Sequence, residues 1–193
     1  MSKNKSGLKI SYNSPVVLGF TLICLISLVL SSITHGASNQ LVFSVYRSSL
    51  LSPLTYIRFF GHIFGHADWE HFFGNITYIL LLGPLLEEKY GKTDMIMIIA
   101  ITAFVTGLIN FIFFPHVMLL GASGVVFAFI LLSSFTGFQN GKIPLTFIIV
   151  AVIYIGQQVY NGIFIHNNIS ELTHIIGGLI GSVFGFVENK FKR

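Results

Sequence analysis

A serine and a histidine open two apolar stretches of this chain in the same manner. Gly121-Ala122-Ser123-Gly124 begins one run, Leu172-Thr173-His174-Ile175 begins another, and a further apolar run lies between them. A hydroxyl and an imidazole are the parts of a nucleophile and its general base, and both are costly to bury in hydrocarbon unless they meet each other or a substrate. The pattern predicts hydrolytic chemistry, provided that the elements carrying the two residues bring them together.

Those elements belong to a membrane. The chain is 53% hydrophobic and 9% charged, against roughly 25% charged in a soluble domain. Six apolar segments are expected, approximately Val16–Ile33, Trp69–Leu86, Met95–Phe113, Ala122–Phe138, Ile143–Asn161 and Leu172–Val187. The first follows Lys3, Lys5 and Lys9 as in a signal peptide, but it has no clear small-x-small cleavage site and reads as a retained span. In a chain of 193 residues these spans leave no room for a soluble domain. The expected organisation is a single six-helix transmembrane domain over residues 1–193, with tails at 1–15 and 188–193. Cys24, the only cysteine, falls within the first span; it reads as a small hydrophobe and excludes a disulfide framework within the chain.

Orientation follows from charge. With six spans, Lys3, Lys5, Lys9, Lys89, Lys92, Lys142, Lys190, Lys192 and Arg193 share one side, whereas Arg47 and Arg58 lie on the other. Basic residues collect on the cytoplasmic side, so both termini are expected there. The basic pI of about 9.3 is thereby a topology signal and needs no nucleic-acid partner.

This topology makes the second, fourth and sixth spans run inward from the outer face. His71 and Asn75, Ser123, and His174 then open them at similar depth. The fourth span covers about 25 Å at 1.5 Å per residue, less than a hydrocarbon thickness of roughly 30 Å. Ser123 is thus expected below the outer surface, in a cavity that admits water. The loops at 115–120 and 162–171 are candidates to line it. Gly177, Gly181 and Gly185 recur every fourth residue and predict a smooth stripe, sharing a face with His174, on which another helix packs closely.

These residues resemble a known family. Gly121-Ala122-Ser123-Gly124 matches the G-x-S-G of the rhomboid intramembrane serine proteases, His174 with Gly177 and Gly181 matches their H-x-x-G-x-x-x-G, and His71 with Asn75 matches their H-x-x-x-N. The chain looks like the minimal six-span bacterial kind over about Tyr56–Val187, an all-α bundle with a large membrane-associated first outer loop. Arg58 and Glu87 also fall where the family has an arginine in that loop and a glutamate at the inner end of the second span.

The resemblance implies a serine endopeptidase with a Ser123–His174 dyad, acting on or near transmembrane segments of other membrane proteins from the outer side of the cell (plasma or inner) membrane. It also implies oxyanion donors in His71 and Asn75, joining the backbone N–H of Ser123 at the positive end of its helix. Glu171, one turn before His174, is a weaker candidate for a third member. Nucleophile, base and water suffice for this chemistry, so no cofactor or metal is expected.

The chain departs from the family pattern at Phe127, where many members have a tyrosine packing on the base, at Leu120 in place of a frequent glycine, and at Ile57 in place of a tryptophan. These changes bear on cavity shape and substrate preference. His62 and His66, spaced i, i+4, are weak metal candidates and stronger candidates for bonding the loop's own turns. The aromatics Tyr46, Tyr56, Phe59, Phe60, Phe64 and Trp69 read as interface anchors. Arg58 has two readings, lipid headgroups or loop carbonyls, and Glu87 reads as structural beside Lys89. Two other functions fit less well: a transporter, which would carry polar groups through the inner leaflet, and a rhomboid-like binding protein, which would normally have lost Ser123 or His174.

Overall fold

Proline begins two of the helices, as expected where a missing N–H does no harm and φ is already helical: α1, Pro15–Ile33, and α3, Pro53–Gly61. The computed structural model describes residues 12–137, 142–164 and 168–191. The remaining helices are α2, Ala37–Leu41; α4, Trp69–Tyr90; α5, Lys92–Phe113; α6, Ser123–Ser134; α7, Leu145–Phe164; and α8, Asn168–Phe191. The described residues form helices with no strand beyond an isolated bridge. Lys3, Lys5, Lys9, the turn at 139–141 and the side chains of 161–171, with Glu171 among them, lie outside the described residues.

Six helices coincide with the six apolar segments of the sequence, and α2 and α3 fall in the connection between the first two. The main difference is α6. Its α-helical part ends at Ser134, and a 3-10 turn follows over Phe135–Gly137. Twelve residues of α-helix extend about 18 Å, shorter than the sequence suggested. At the other extreme, α8 continues past Val187 to Phe191.

The helices sort by their exposure. No side chain of α6 is exposed, and it packs against α4, α5 and α8, as befits a helix apolar on all sides. In α1, Val17, Phe20, Cys24, Ser27, Leu28 and Ser31 are buried at helical spacing, while Leu22, Ile26 and Ile33 face outward. Outward apolar residues recur on α4, α5, α7 and α8, among them Leu81, Phe113, Val152 and Val183. A perimeter of this kind is stable in hydrocarbon and would aggregate in water. Among the described residues, α1 and α5 combine spanning length with mean hydropathies of 2.6 and 2.4.

Glu87 ties the start of α1 to the last turn of α4. Its buried carboxylate accepts the backbone N–H groups of Val16 and Val17 at 3.1 and 3.0 Å. The first N–H groups of a helix have no partner within it, and the helix dipole favours an anion there. The structural role read from the sequence holds, but its partner is a helix start. Lys89 instead donates to the carbonyl of Thr136 at 2.7 Å. Gly91, at φ +84°, links α4 to α5 as a single residue, a backbone conformation suited to glycine.

The connection between α1 and α4 is a folded lobe. Arg58 is buried, donates from Nε to the carbonyl of Leu41 at 2.9 Å and lies 4.4 Å from the Tyr46 ring centroid. Of its two sequence readings, the loop carbonyls are the ones satisfied. Gly61 and Gly65 lie directly on the backbone carbonyls of Val42 and Phe43, where a Cβ would collide. Phe59 is buried among Phe104, Phe111 and Val45, so it belongs to the lobe's interior and not to an interface belt. Tyr56, Phe60 and Trp69 are exposed, as interface anchors must be.

Candidate functional site

The backbone leading into α6 is held from the lobe. Val45 and Leu119 exchange both backbone hydrogen bonds, at 2.8 and 2.9 Å. Asn110 of α5 donates its amide to the carbonyls of Val45 and Val117, both at 3.1 Å. The N–H of Gly121 donates to the carbonyl of His62 at 2.9 Å. The loop over 115–120, proposed from the sequence as a cavity lining, is thereby fixed against the lobe.

Gly121 has φ +129°, a conformation that penalises any other residue. It delivers Ala122 as the N-cap and Ser123 as the first residue of α6. No side chain caps this helix start, so its leading N–H groups keep their positive potential.

α8 approaches α6 through bare backbone. Gly177 lies against the carbonyl of Gly124, Gly181 against that of Ala128, and Gly185 against the Phe135 ring. A Cβ built at Gly124 would meet methyl groups of Thr106, Thr173 and Thr102 at 3.5–3.6 Å, so α6 starts in a niche between α5 and α8. This close passage carries His174, one turn before Gly177, onto the first turn of α6. Its ring centroid is 4.3 Å from that of Phe127, tilted by 46°. Residues on each side of the predicted pair are therefore in contact: Gly124 and Phe127 with Thr173, His174 and Gly177.

α4 supplies the third wall. Asp68 caps it by accepting the N–H of His71 at 2.8 Å. A Cβ added at Gly121 would fall 2.7 Å from His71 Nε2 and 3.9 Å from Asn75 Nδ2, so both side chains reach the turn before Ser123. The Asn75 amide nitrogen is buried without a hydrogen-bond partner. His71 also lies within electrostatic reach of His174. His71 and Asn75 thus face the turn leading to Ser123, His174 packs on Phe127, and Gly177 and Gly181 lie against Gly124 and Ala128 along α6.

The family model for the rhomboid domain matches residues 53–191. The chain belongs to the rhomboid family. Among its relatives, Rhomboid-related protein 1 of Caenorhabditis elegans is 30% identical over 141 residues, covering 67% of this chain and 39% of that protein. Rhomboid protease GlpG of Haemophilus influenzae is 21% identical over 140 residues, covering 70% of this chain and 71% of its own. Rhomboid-related protein 2 of Mus musculus is 28% identical over 158 residues, covering 71% and 52%. The matched part is thus about two fifths of the nematode relative and about seven tenths of the bacterial one. The rhomboid family is embedded in membranes, consistent with the apolar perimeter of these helices.

In this rhomboid, both loop histidines bond to their own turns. His62 Nδ1 is 3.2 Å from the carbonyl of Arg58 and Nε2 is 3.2 Å from the Thr106 hydroxyl. A neutral imidazole meets the carbonyl as the Nδ1–H tautomer, while the Thr106 hydroxyl, also 2.7 Å from the carbonyl of Thr102, has one proton for either acceptor. Burial pushes the His62 imidazole down to about 4. His66 Nδ1 is 3.1 Å from the carbonyl of Phe64, and its ring stands edge-on to His71 at 5.1 Å. Burial, and then the neighbouring His71, lower it to about 4. Sequence reasoning missed Thr106, Asn110 and Asp68. Asp68 alone had a legible signal, as an N-cap residue preceding an apolar run.

Proposed function

We propose that this rhomboid is an intramembrane serine endopeptidase. Six helices, α1 and α4 to α8, cross the bilayer with both termini cytoplasmic, and the site opens to the outer side of the cell membrane. In this topology Ser123, at the start of the short α6, lies below the outer surface. The observation that carries the reading is the packing of the His174 ring on Phe127, one turn after Ser123 on the same helix.

In the first step His174 takes the Ser123 proton as the oxygen attacks a peptide carbonyl, giving a tetrahedral oxyanion and an imidazolium. The N–H of Ser123, the side chain of His71 and the unpartnered Asn75 amide are the donors for that oxyanion. Collapse breaks the C–N bond, and the imidazolium proton goes to the leaving amine. A water entering from the outer side then gives a proton to His174 and its oxygen to the acyl carbon; the bond from that carbon to the serine oxygen breaks, and the imidazolium returns the proton to Ser123 as the acid is released.

The substrate is a transmembrane segment of another membrane protein. Its backbone must leave the helix for a carbonyl to reach Ser123, so helix-breaking or small residues near the cut are expected. The relatives support this class, one of them being named a rhomboid protease. The test is cleavage of a single-span reporter in proteoliposomes. A cut on the outer side, present with the unmodified chain and absent with Ser123→Ala, is expected. Equal cleavage by both would reject the reading.

A further inference from the structure

An apolar cavity of about 600 Å³ lies between α1 and α5, beneath the 3-10 turn at His62–Phe64. Gly19, Ile23, Ile63, Phe64, Ile96 and Ala100 are among its walls, and Lys92 is the one polar side chain lining it. Small residues create the space: a Cβ at Gly19 would meet nothing within 4 Å. Measured along α5, the cavity extends from Lys92 to Ala103, about 16 Å at 1.5 Å per residue. That is close to half of a hydrocarbon layer of roughly 30 Å, the depth of one leaflet.

A second cavity, about 450 Å³, shares Pro15 and Lys92 with the first. Its walls are mixed where the first is almost wholly apolar: Asn13, Ser14, Glu87, Glu88 and Lys92 stand beside Pro84 and Leu85. Glu87 is occupied by the start of α1. Glu88 and Lys92 are exposed. An oily slot one leaflet deep thus continues into a headgroup-sized space presenting one cation and one anion.

We propose that the paired cavities hold one phosphatidylethanolamine molecule of the cytoplasmic leaflet. An acyl chain fills the slot between α1 and α5, the phosphate faces Lys92, and the primary ammonium faces Glu88. The proposal rests on the reading that α1 and α5 cross the bilayer. Hydrocarbon must fill a groove that water cannot enter, and the two opposite charges at its mouth match a zwitterionic amine headgroup better than a purely anionic one. Ile63 and Phe64, at the end of the slot away from Lys92, adjoin His62, whose carbonyl holds Gly121, so the bound chain also supports the lobe.

The experiment is native mass spectrometry of the detergent-purified full chain, with phosphatidylethanolamine, phosphatidylglycerol and phosphatidylcholine of one acyl composition competing at equal concentration. One retained phosphatidylethanolamine is expected, preferred about fivefold over phosphatidylglycerol, the ratio given by about 1 kcal/mol per headgroup charge, and preferred over phosphatidylcholine because a quaternary ammonium has no N–H to donate to Glu88. Glu88→Gln should abolish the preference, and Lys92→Gln should weaken all three lipids by a similar factor. Gly19→Leu and Ala100→Leu, which fill the slot, should each reduce retention more than about tenfold. Gly156→Leu, on α7 where a Cβ also meets open space, should leave it unchanged. Equal retention of the three lipids, a preference for phosphatidylglycerol, or undiminished binding to both slot-filling variants would overturn the proposal. These readouts do not depend on proteolysis, so failure here leaves the endopeptidase reading standing.

Discussion

Gly177 rests on the backbone carbonyl of Gly124, the residue after Ser123, with no space between them for a Cβ. This contact sets how far α8 stands from α6 and hence where His174 lies. Gly177→Ala should force the helices apart, destabilising the protein by about 1–3 kcal/mol and lowering peptide cleavage more than that loss of folded protein explains. Gly156→Ala, in open space, should be neutral or slightly stabilising. Thermal unfolding and cleavage rate of the two variants check this; an undisturbed Gly177→Ala enzyme would contradict it.

Asn75→Ala should lower kcat on the order of 10²-fold with little change in stability, since its buried amide nitrogen has no partner in the protein to lose. Gly121→Ala should be at least as damaging. The new Cβ meets His71 Nε2 and the backbone must hold φ +129° against it. Both are measured as kcat and KM on a reporter substrate, and a change in KM alone would argue against oxyanion binding.

The residues of this site were legible because their signals are local. Ser123 opens α6, and His71, Asn75 and His174 lie in the first two turns of their helices, all within short motifs, while the stripe from Gly177 to Gly185 announces a close helix contact by its spacing alone. What holds them was less legible. The bonds from the Gly121 N–H to the His62 carbonyl and between Val45 and Leu119 are made by backbone groups, and the Asn110 side-chain amide donates to the backbone carbonyls of Val45 and Val117; backbone partners leave no trace in residue type. Glu87 had a visible position but a hidden partner, because helix N–H groups 70 and 71 residues away are its ligands. Phe59 read as an interface aromatic because sequence does not tell an inward from an outward ring in a folded loop.

Glu87→Ala should remove two charge-assisted hydrogen bonds from the start of α1. A loss on the order of 3 kcal/mol is expected, with Glu87→Gln losing roughly half. The midpoint of thermal unfolding in detergent reads both, and equal midpoints for all three proteins would show that the link carries no stability.

The lobe histidines make stability depend on pH. His62 titrates near 6.5 when unfolded and near 4 when folded, so the unfolded chain binds the proton first as pH falls. Stability should be level above about pH 6.5, fall between 6.5 and 4, and level again below, with His62 contributing on the order of 3 kcal/mol to the drop. His66, lowered in the same direction, adds to it. Unfolding midpoints across this range for the unmodified chain and His62→Gln check the sign: the variant should start lower and slope less. A midpoint that rises on acidification would contradict it.

The most direct measurement of the central claim is covalent labelling of the purified protein by a fluorophosphonate, with the modified residue located by peptide mass mapping. The predicted result is a single adduct on Ser123 that is lost in Ser123→Ala and in His174→Ala. Labelling of all three proteins to the same extent, or an adduct located elsewhere, would contradict a nucleophile at 123 activated by the imidazole at 174.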